Sequence, residues 1–533
     1  MIRKVLFKDS FWEVTNTSPD NWTQDVGTWK VGSQGNAYVN SNSALGIKTM
    51  HPTTAIPQNE HVLLDMMFSV NNTCATNWYV GMVGYASTSS GTYYGNSYYV
   101  KCTPTETYLY SSAANELTEV THVSATHNTT TNYYVTLEID ETNKNLLVYE
   151  STTGYDSTVA IIDVDVTTAL ASGDYMALYS YGVYNSYFSK VRARCPNDMT
   201  FTDQPHVFQS LGRETSFLEA SVMLNSDGTV PIAVGDMVEV TISDGTTITE
   251  EFDGRVQKVT SDLESYSADI YVQDFRCEGL QNEASYNSTS ADAQTAMIGI
   301  IDANMTWLKG GGVKMASDAA VARAYEGKYA LEQLYDISLE VDFYMWSTFW
   351  RKFPITNIFP DPSITIDDSD PIMKAKYVED GNNVYNIADV YWGSSLAEVN
   401  DTSGVSQAVY GKKSNLHVDP TITNATVAAG IASTLMTRYA TLSKQVDIWV
   451  GDYHELMIGD KVTVTLAGLS MDAVTGIVIE KEYGGNMVCI RFRVATYVGE
   501  TPYAKEPHDP IRTLAKDGLQ GVQNRASDII AIS

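Results

Sequence analysis

The sequence predicts a mainly β protein with some α+β elements, and three observations support this prediction. The 34 Tyr outnumber the 14 Phe and 9 Trp together, and abundant Thr, Ser, Asn and Val add to a mixture that favours strands and turns. Short apolar runs recur between clusters of Gly, Asn, Ser and Thr. A Gly-Asp turn that leads into an alternating strand occurs twice, at Gly235-Asp236 and at Gly459-Asp460.

Length and charge limit the possible classes of protein. The 533 residues leave room for about three or four domains, and 44% hydrophobic against 18% charged residues indicates a folded chain. The formal charge of −30 repels a phosphate backbone, so a protein that grips nucleic acid is disfavoured. A conduit through which DNA passes without binding stays open, as does simple solubility or adaptation to salt.

The cysteine pattern and the apolar runs bear on localisation. The five cysteines contain no CxxC, so we expect buried free thiols, while a Cys74–Cys102 disulfide remains conceivable. No apolar stretch near Met1 is long enough for a signal peptide. No apolar run reaches about 18 residues, so we expect no membrane span. The prediction is synthesis in a cytoplasm without export by the ordinary secretory route.

Residues 1–196 are predicted to form a β-sandwich. Short β-rich runs follow one another here at regular spacing, and none of this region has a helical period. The runs are Val62–Phe68, Trp78–Val83, Tyr98–Val100, Tyr133–Ile139, Leu146–Tyr149 and Tyr175–Tyr179.

The two Gly-Asp turns predict two small antiparallel barrels, because each turn is followed by strands that alternate apolar and polar residues. The first barrel is placed at 199–282 and the second, with a preceding helix, at 416–498. An α+β insertion at 283–415 separates them, and a polar extension at 499–533 follows.

Three helices are predicted between the barrels from apolar residues at helical spacing. Ser290 is expected to cap a helix that runs through Ile301. A second helix spans Lys328–Ser338 and leads into a strand at Glu340–Trp346. The third is capped by Thr423 and carries stacked apolar residues as far as Tyr439.

The N-terminal region resembles laminin-G and concanavalin-like jelly-roll domains. The resemblance rests on Asp9-Ser10-Phe11, Asn21-Trp22, Gly27-Thr28-Trp29-Lys30-Val31 and the hairpin formed by Tyr134–Ile139 and Leu146–Tyr149. It implies recognition of glycans or cell surfaces, and in some members glycosidic hydrolysis.

The region 199–498 resembles the hub proteins of phage tails and contractile injection systems. The resemblance lies in an order of elements: a Gly-Asp barrel, a helix pair, the strand Val384–Val390, the segment Val409–Lys413, a helix and a second Gly-Asp barrel. In that family the barrels resemble tail-tube subunits. Three chains then present six barrels as a pseudo-sixfold ring, in which residues 235–273 and 459–494 alternate.

Catalytic and metal-binding residues are not predicted. The concanavalin-like glycosidases carry a compact Glu-x-Asp-x-x-Glu strand motif, and Glu138-Ile139-Asp140-Glu141 has the wrong spacing at its last position. The carboxylates of Asp367-Asp368-Ser369-Asp370 fit a solvated turn. His122 and His127 fit neither one helix face nor one strand face, and a metal site would need a third ligand. The expectation is loop histidines, no cofactor and no enzyme.

Aromatic residues are the stronger candidates for a binding site. The predicted sandwich contains three adjacent pairs, Trp78-Tyr79, Tyr93-Tyr94 and Tyr98-Tyr99. Adjacent strand residues point to opposite faces, so one ring of each pair should be outside, where Tyr and Trp stack on sugars or on partner proteins. An ordinary core and β surface is the alternative interpretation. The candidate glycan-binding residues are Trp78, Tyr79, Tyr93, Tyr94 and Tyr98.

The leading hypothesis is a structural tail hub or tip protein of a tailed virus, made in the host cytoplasm and assembled into the virion. It would close the distal end of the tail tube as a homotrimer and carry a peripheral domain for a host-surface glycan. Its partners would be the tail tube or distal tail protein and the tape measure protein, with DNA only in transit. The alternative is a glycan-binding adhesin or a glycan-active enzyme that uses the jelly roll.

Overall fold

The computed structural model describes most of the chain between Ile2 and Pro502. The described residues are 2–11, 18–19, 22–26, 28–32, 36–39, 48–53, 55, 61–70, 78–86, 97–113, 116–140, 143–155, 159–166, 175–181, 186–196, 199–211, 215–243, 248–262, 264–308, 310, 313, 320–341, 344–345, 347, 353–356, 364–380, 384–393, 397–440, 442–451, 456–469, 471–484, 489–498 and 501–502.

The prediction of a mainly β protein is confirmed. The N-terminal strands are β1 Ile2–Asp9, β2 Trp22–Val26, β3 Trp29–Gly32, β4 Asn36–Val39, β5 Lys48–Pro52, β6 Val62–Val70, β7 Tyr79–Ala86, β8 Ser97–Cys102, β9 Glu106–Ala113, β10 Glu116–Ser124, β11 Tyr133–Asp140, β12 Asn145–Ser151, β13 Ile162–Asp165, β14 Tyr175–Tyr181 and β15 Ser186–Arg194.

These strands form a sandwich of two antiparallel layers. One is a seven-stranded sheet in the order β10-β9-β8-β7-β14-β5-β2, and the other contains β13-β12-β11-β6-β15. Alternate residues of β6, namely Leu64, Met66 and Phe68, are fully buried. They pack against Val80 and Met82 of the facing sheet in one hydrophobic cluster, as the period of two in these runs requires.

The two barrels are built from equivalent strands. The first contains β16 His206–Ser210, β17 Phe217–Met223, β18 Met237–Ser243, β19 Ile248–Asp262 and β20 Ser267–Gln273. The second contains β30 Ser443–Val450, β31 Lys461–Leu466, β32 Met471–Tyr483 and β33 Ile490–Val498, followed by β34 Thr501–Pro502.

Both Gly-Asp turns have the same hydrogen bonds. Gly235 has φ +92° and Gly459 φ +89°, a region that favours glycine. Gly235 N donates to Val256 O at 2.8 Å, and Gly459 N donates to Val478 O at 2.9 Å. In each turn the Asp side chain accepts from the amide three residues earlier, at 2.8 Å in both copies. The sequence repeat is therefore a structural repeat.

Between the barrels lies an α+β region. Its elements are α1 Cys277–Gln281, β21 Glu283–Asp292, α2 Ala293–Asn304, β22 Ala320–Tyr329, α3 Ala330–Val341, β23 Tyr344–Met345, β24 Ile355–Thr356, β25 Ile364–Asp367, β26 Ile372–Asp380, β27 Ile387–Trp392, β28 Ala397–Thr402, α4 Gly404–Tyr410, β29 Ser414–Asp419 and α5 Ala425–Tyr439. Two of these strands extend the second barrel: β26 pairs with β30, and β25 pairs in parallel with β31. The predicted domain limits stay a prediction.

The helix starts differ from the predicted ones. Asp292 caps α2 by accepting from Thr295 N at 2.7 Å, because Ser290 still belongs to the β21–β22 hairpin. Asn424, rather than Thr423, caps α5 by accepting from Thr426 N at 2.7 Å. The predicted strand at 340–346 begins late, because α3 continues through Val341.

Strand β1 belongs to the sandwich and to the first barrel at once. Its first half, Ile2–Val5, pairs with β18, and its second half, Val5–Asp9, pairs with β15. The chain therefore has one continuous hydrogen-bonded seam between its N-terminal domain and its first barrel.

A network of buried charged groups lies along this seam and includes three cations and three anions: Lys8, Arg192, Arg194, Asp65, Glu239 and Asp253. Arg192 bridges the domains, with Nε 2.5 Å from an Asp65 oxygen and Nη1 2.9 Å from both Glu239 oxygens. Arg194 Nε also donates to Asp65, at 2.8 Å, and Lys8 Nζ lies 3.0 Å from Asp253. Burial alone would raise the pKa of Asp65, but the two guanidinium groups hold it at about 2.

Among the helices that the structure describes, none combines the length and the apolar character that a bilayer crossing demands.

Candidate functional site

The outer face of the seven-stranded sheet carries a field of tyrosines. Alternate residues of four neighbouring strands point away from the sandwich core here. We call this set the tyrosine face: Tyr79 on β7, Tyr99 on β8, Tyr108 and Tyr110 on β9, and Tyr175, Tyr179 and Tyr181 on β14.

Lys101 lies at the centre of this face. Its Nζ is 4.8 Å from the ring centroid of Tyr79, 5.0 Å from that of Tyr108 and 5.4 Å from that of Tyr110. A cation at these distances is attracted to the ring faces. Tyr79 also stacks on Tyr181, with centroids 4.6 Å apart and planes 4° apart. The rings are thus held in place by Lys101 and by one another.

A glycine makes room for one of the buried rings of the face. A Cβ at Gly81 would lie 1.9 Å from Val100 O and 2.6 Å from the ring of Tyr179. Tyr179 is nearly fully buried, and its hydroxyl donates to Val100 O at 2.9 Å. Burial raises the pKa of Tyr179 well above its usual value, so the hydroxyl stays a donor.

One border of the face is polar and carries charge. Tyr108 donates to Glu106, which raises the pKa of Tyr108 to about 12. His122 on β10 lies 2.8 Å from Glu119 and 3.8 Å from Glu106. Flat rings beside carboxylates and a cation offer both the stacking surface and the hydrogen-bond partners that a sugar ring needs.

The predicted binding residues lie in different environments. Tyr79 is half-buried on the tyrosine face. Trp78 and Tyr98 point inward into the sandwich core, with 4% and 2% of their surfaces exposed. Tyr93 and Tyr94 lie outside the described residues. The assignment of these five residues to glycan binding stays a prediction.

Sequence reasoning did not single out Tyr108, Tyr110 or the tyrosines of β14, and it considered Tyr99 only as the neighbour of Tyr98. Their signal was present in the sequence, since each stands two residues from another outward-facing position on its strand. To use this signal, one must know which set of alternate positions on each strand faces outward. Apolar residues occupy both sets here, so the sequence does not distinguish them.

The groups considered for catalysis have structural roles where they are described. Glu138 accepts from His61, whose Nε2 is 2.7 Å away, and from Tyr149 at 2.8 Å; the His61 hydrogen bond lowers the pKa of Glu138. A general acid of a glycosidase needs a raised pKa instead. Asp367 accepts from Ser369 within its turn.

A second candidate site is the pair of sheet edges that the barrels leave open. The barrels meet through β16, which pairs with β17 on one side and with β32 of the second barrel on the other. At this seam Lys481 Nζ lies 2.7 Å from Glu251, with both side chains fully buried. The strand equivalent to β16 in the second barrel is β26, because it pairs with β30 as β16 pairs with β17.

Among the described strands, β26 pairs with β30 alone, and its other edge is open. The surface equivalent to the one that β16 covers is residues 258–261 of β19. The stretch 480–483 of β32 is largely buried under β16, with Glu480, Lys481 and Tyr483 all buried, whereas Lys258, Thr260 and Ser261 of β19 are exposed. Within the described residues, two strand edges are therefore without a partner strand: the outer edge of β26 and the outer edge of β19 at residues 258–261.

Comparison with known proteins gives similarities of fold at low identity. No family model matches the chain, and no curated protein matches it.

The chain is similar to the solved tail protein of Neisseria meningitidis MC58, with 11% identity over 57% of this chain and 93% of that one and a TM-score of 0.43. It is also similar to the 43 kDa tail protein of prophage MuSo2 from Shewanella oneidensis, with 12% identity, 57% and 95% coverage and a TM-score of 0.41. The carbohydrate-binding module CBM66 of Bacillus subtilis matches 34% of this chain and 99% of its own length, with 10% identity and a TM-score of 0.25.

Proposed function

We propose that the protein is a ring-forming structural hub of a phage-like tail, assembled as a homotrimer in the virion. In this proposal the barrels form the ring that contacts the tail tube, and the sandwich is a peripheral domain for a host-surface glycan. The partners are the tube or distal tail protein and the tape measure protein.

The observation that carries the proposal is the seam between the two barrels of one chain. It joins β16 of the first barrel to β32 of the second. The same contact, repeated between chains, joins β26 of one copy to β19 of the next. Such a head-to-tail contact closes into a ring when its rotation divides a full turn. It also covers open strand edges, which otherwise invite aggregation.

The internal repeat predicts the register of this contact. In the seam, Phe208 lies opposite Glu482. Equivalent positions place Val378 opposite Thr260 of the next copy. This register also sets Lys376 opposite Asp262. Opposite charges at paired positions stabilise a strand pair, whereas like charges would oppose it.

The net charge of −30 suits a passage for DNA. A negatively charged lining repels phosphates, so DNA in transit would pass without binding. Three chains bring six barrels, which is the number that a pseudo-sixfold tube end requires under the resemblance to tail hubs.

The proposed ring is tested by cysteine pairs across the predicted contact. Residues directly opposite each other on antiparallel strands are about 4.5–5.5 Å apart at Cα, which suits a disulfide. The full chain with Thr260→Cys and Val378→Cys should give, after mild oxidation, cross-linked species that end at the trimer on non-reducing gels. Native mass measurement of the wild type should give the same trimer, with the tube protein added if the free chain is dilute.

The control pair is Thr260→Cys with Tyr377→Cys. A shift of one residue turns the second side chain to the other face of the strand, so this pair should cross-link no better than the wild type. A stable wild-type monomer in the presence of the tube protein, or equal cross-linking of both pairs, would contradict the ring.

The tyrosine face supports the second part of the proposal, recognition of a glycan. Screening the full chain on a glycan array should identify a ligand, and Tyr79→Ala should weaken its binding by about fivefold, as loss of about 1 kcal/mol of stacking implies. The control is Tyr266→Ala, which changes an exposed tyrosine of the first barrel.

A reducing-sugar assay with the same glycan separates binding from cleavage, and cleavage would favour the enzyme alternative. Absence of any ligand would remove the glycan role and leave the ring untouched.

A further inference from the structure

Three side chains with metal-ligating atoms meet at one end of the sandwich. Cys102 lies on β8, His127 in the connection between β10 and β11, and Glu150 on β12. The thiol sulfur, an imidazole nitrogen and a carboxylate oxygen all lie within 4.8 Å of one another. Cys102 is a free, fully buried thiol, and the His127 side chain is also fully buried. The structure thus places two further metal-ligating side chains beside His127, which the sequence analysis had not found. His122 does not belong to this cluster.

The hydrogen bonds of His127 define its tautomer. Its Nδ1 lies 2.5 Å from the carbonyl oxygen of Thr103, and a carbonyl only accepts, so Nδ1 carries a hydrogen. The neutral ring then has its lone pair on Nε2, which faces Glu150 Oε1 at 3.0 Å. A lone pair and a carboxylate oxygen repel each other at this distance. A cation at that position, either a proton or a metal ion, removes the repulsion.

The surroundings of the ring are those of a metal-ligating histidine. Metal-bound imidazoles usually donate their other N–H to a backbone carbonyl or a carboxylate, which fixes the tautomer and the orientation of the ring. Thr103 O has this role here. The ring of His127 also packs against Tyr133 and Phe68, with centroids 4.8 Å and 5.8 Å away.

Thr107 provides a fourth donor atom. Its Oγ1 lies 2.9 Å from Glu150 Oε2, 3.5 Å from His127 Nε2 and 4.0 Å from Cys102 Sγ. Ligand atoms around tetrahedral zinc lie about 3.3–3.8 Å apart, given bonds of about 2.0 Å to nitrogen or oxygen and about 2.3 Å to sulfur. The observed separations fall on both sides of this range, so small side-chain shifts suffice to enclose an ion.

We propose that Cys102, His127 and Glu150 bind a zinc ion, with the Thr107 hydroxyl or a water molecule as the fourth ligand. One thiolate, one imidazole and one carboxylate form a mixed set that suits Zn²⁺ and not Mg²⁺ or Ca²⁺, which take oxygen ligands. Cys102 comes from the seven-stranded sheet and Glu150 from the facing sheet. The ion would therefore link the two layers of the sandwich. This site is independent of the proposed ring.

The test measures metal content and cobalt binding of the full chain. Protein produced with added zinc should contain about one zinc per chain by elemental analysis. After removal of the metal by a chelator, titration with Co²⁺ should give the near-ultraviolet band of thiolate-to-cobalt charge transfer. Cys102→Ser should abolish that band, and His127→Gln and Glu150→Gln should lower the metal content to about zero per chain.

Cys195→Ser is the matched control, since it removes a half-buried thiol of the same domain that lies outside the cluster. It should leave the zinc content and the cobalt band unchanged. Wild-type protein that contains no zinc and gives no thiolate–cobalt band would overturn the proposal, whatever the variants do. The contact between His127 and Glu150 would then be a buried side-chain contact without a metal ion.

Discussion

Two glycines at equivalent positions define how closely the barrel strands approach. A Cβ at Gly254 would lie 2.2 Å from Gln273 O, and a Cβ at Gly476 would lie 2.7 Å from Ala495 O. Both obstacles are backbone atoms of the neighbouring strand, so no side-chain rotation relieves them. The two copies of the repeat therefore share a close approach of two strands as well as a turn.

Gly254→Ala should destabilise the protein by about 1–3 kcal/mol, the range for a side chain forced into a packed site. Gly430→Ala is the opposite case, because this exposed glycine in the middle of α5 has open space around its Cβ position. It should stabilise the helix by about 0.5–1 kcal/mol. Urea unfolding of both variants measures the two changes. A Gly254→Ala variant as stable as the wild type would show that β19 and β20 can separate without cost.

At the residue scale, alternation predicted that one ring of each adjacent aromatic pair lies outside, but it did not say which one. Tyr79 and Tyr99 lie on the tyrosine face while Trp78 and Tyr98 point into the sandwich core, and Tyr99 is itself only 4% exposed. Both faces of this sheet carry apolar and aromatic residues, so periodicity alone does not determine which face points to the core. The cluster of Cys102, His127 and Glu150 could not be predicted from local sequence patterns either, because its members come from three different segments.

At the element scale, local patterns located the main strands and helices. The Gly-Asp turns predicted β18 and β31, and apolar spacing predicted α2, α3 and α5. Pairings between distant strands were not predicted. That β16 joins two barrels, or that β25 and β26 extend the second one, depends on which edges remain open after local hairpins have formed. An alternating pattern describes the faces of a strand and contains no information about its edges.

At the scale of the whole molecule, the buried charges at the seam couple the sandwich to the first barrel. Asp65 has a pKa of about 2 in the folded protein, against about 3.9 when unfolded. Because the folded pKa is the lower one, Asp65 contributes about 2–3 kcal/mol of stability above pH 4, and this contribution is lost as the pH falls towards 2.

Asp65→Asn should therefore remove part of the acid sensitivity of unfolding between pH 4 and pH 2. At neutral pH it should lower the free energy of unfolding by about 3–5 kcal/mol, since Arg192 and Arg194 lose a buried counter-ion. Denaturant unfolding at several pH values measures both effects. Asp203→Asn, an exposed change, should stay within about 0.5 kcal/mol of the wild type. If Asp65→Asn and the wild type lose stability in parallel on acidification, the assignment of this pH dependence to Asp65 is wrong.

The double membership of β1 has a mechanical consequence. Besides the chain connection after β15, the two domains are joined by the hydrogen bonds of one continuous strand with a partner strand at each half, which permits less displacement than a flexible linker alone would. A pull on the sandwich along β1 would load those hydrogen bonds in shear, several at once, so the seam resists force better than a hairpin that opens one bond at a time. Force applied to the sandwich would then be transmitted directly to the first barrel.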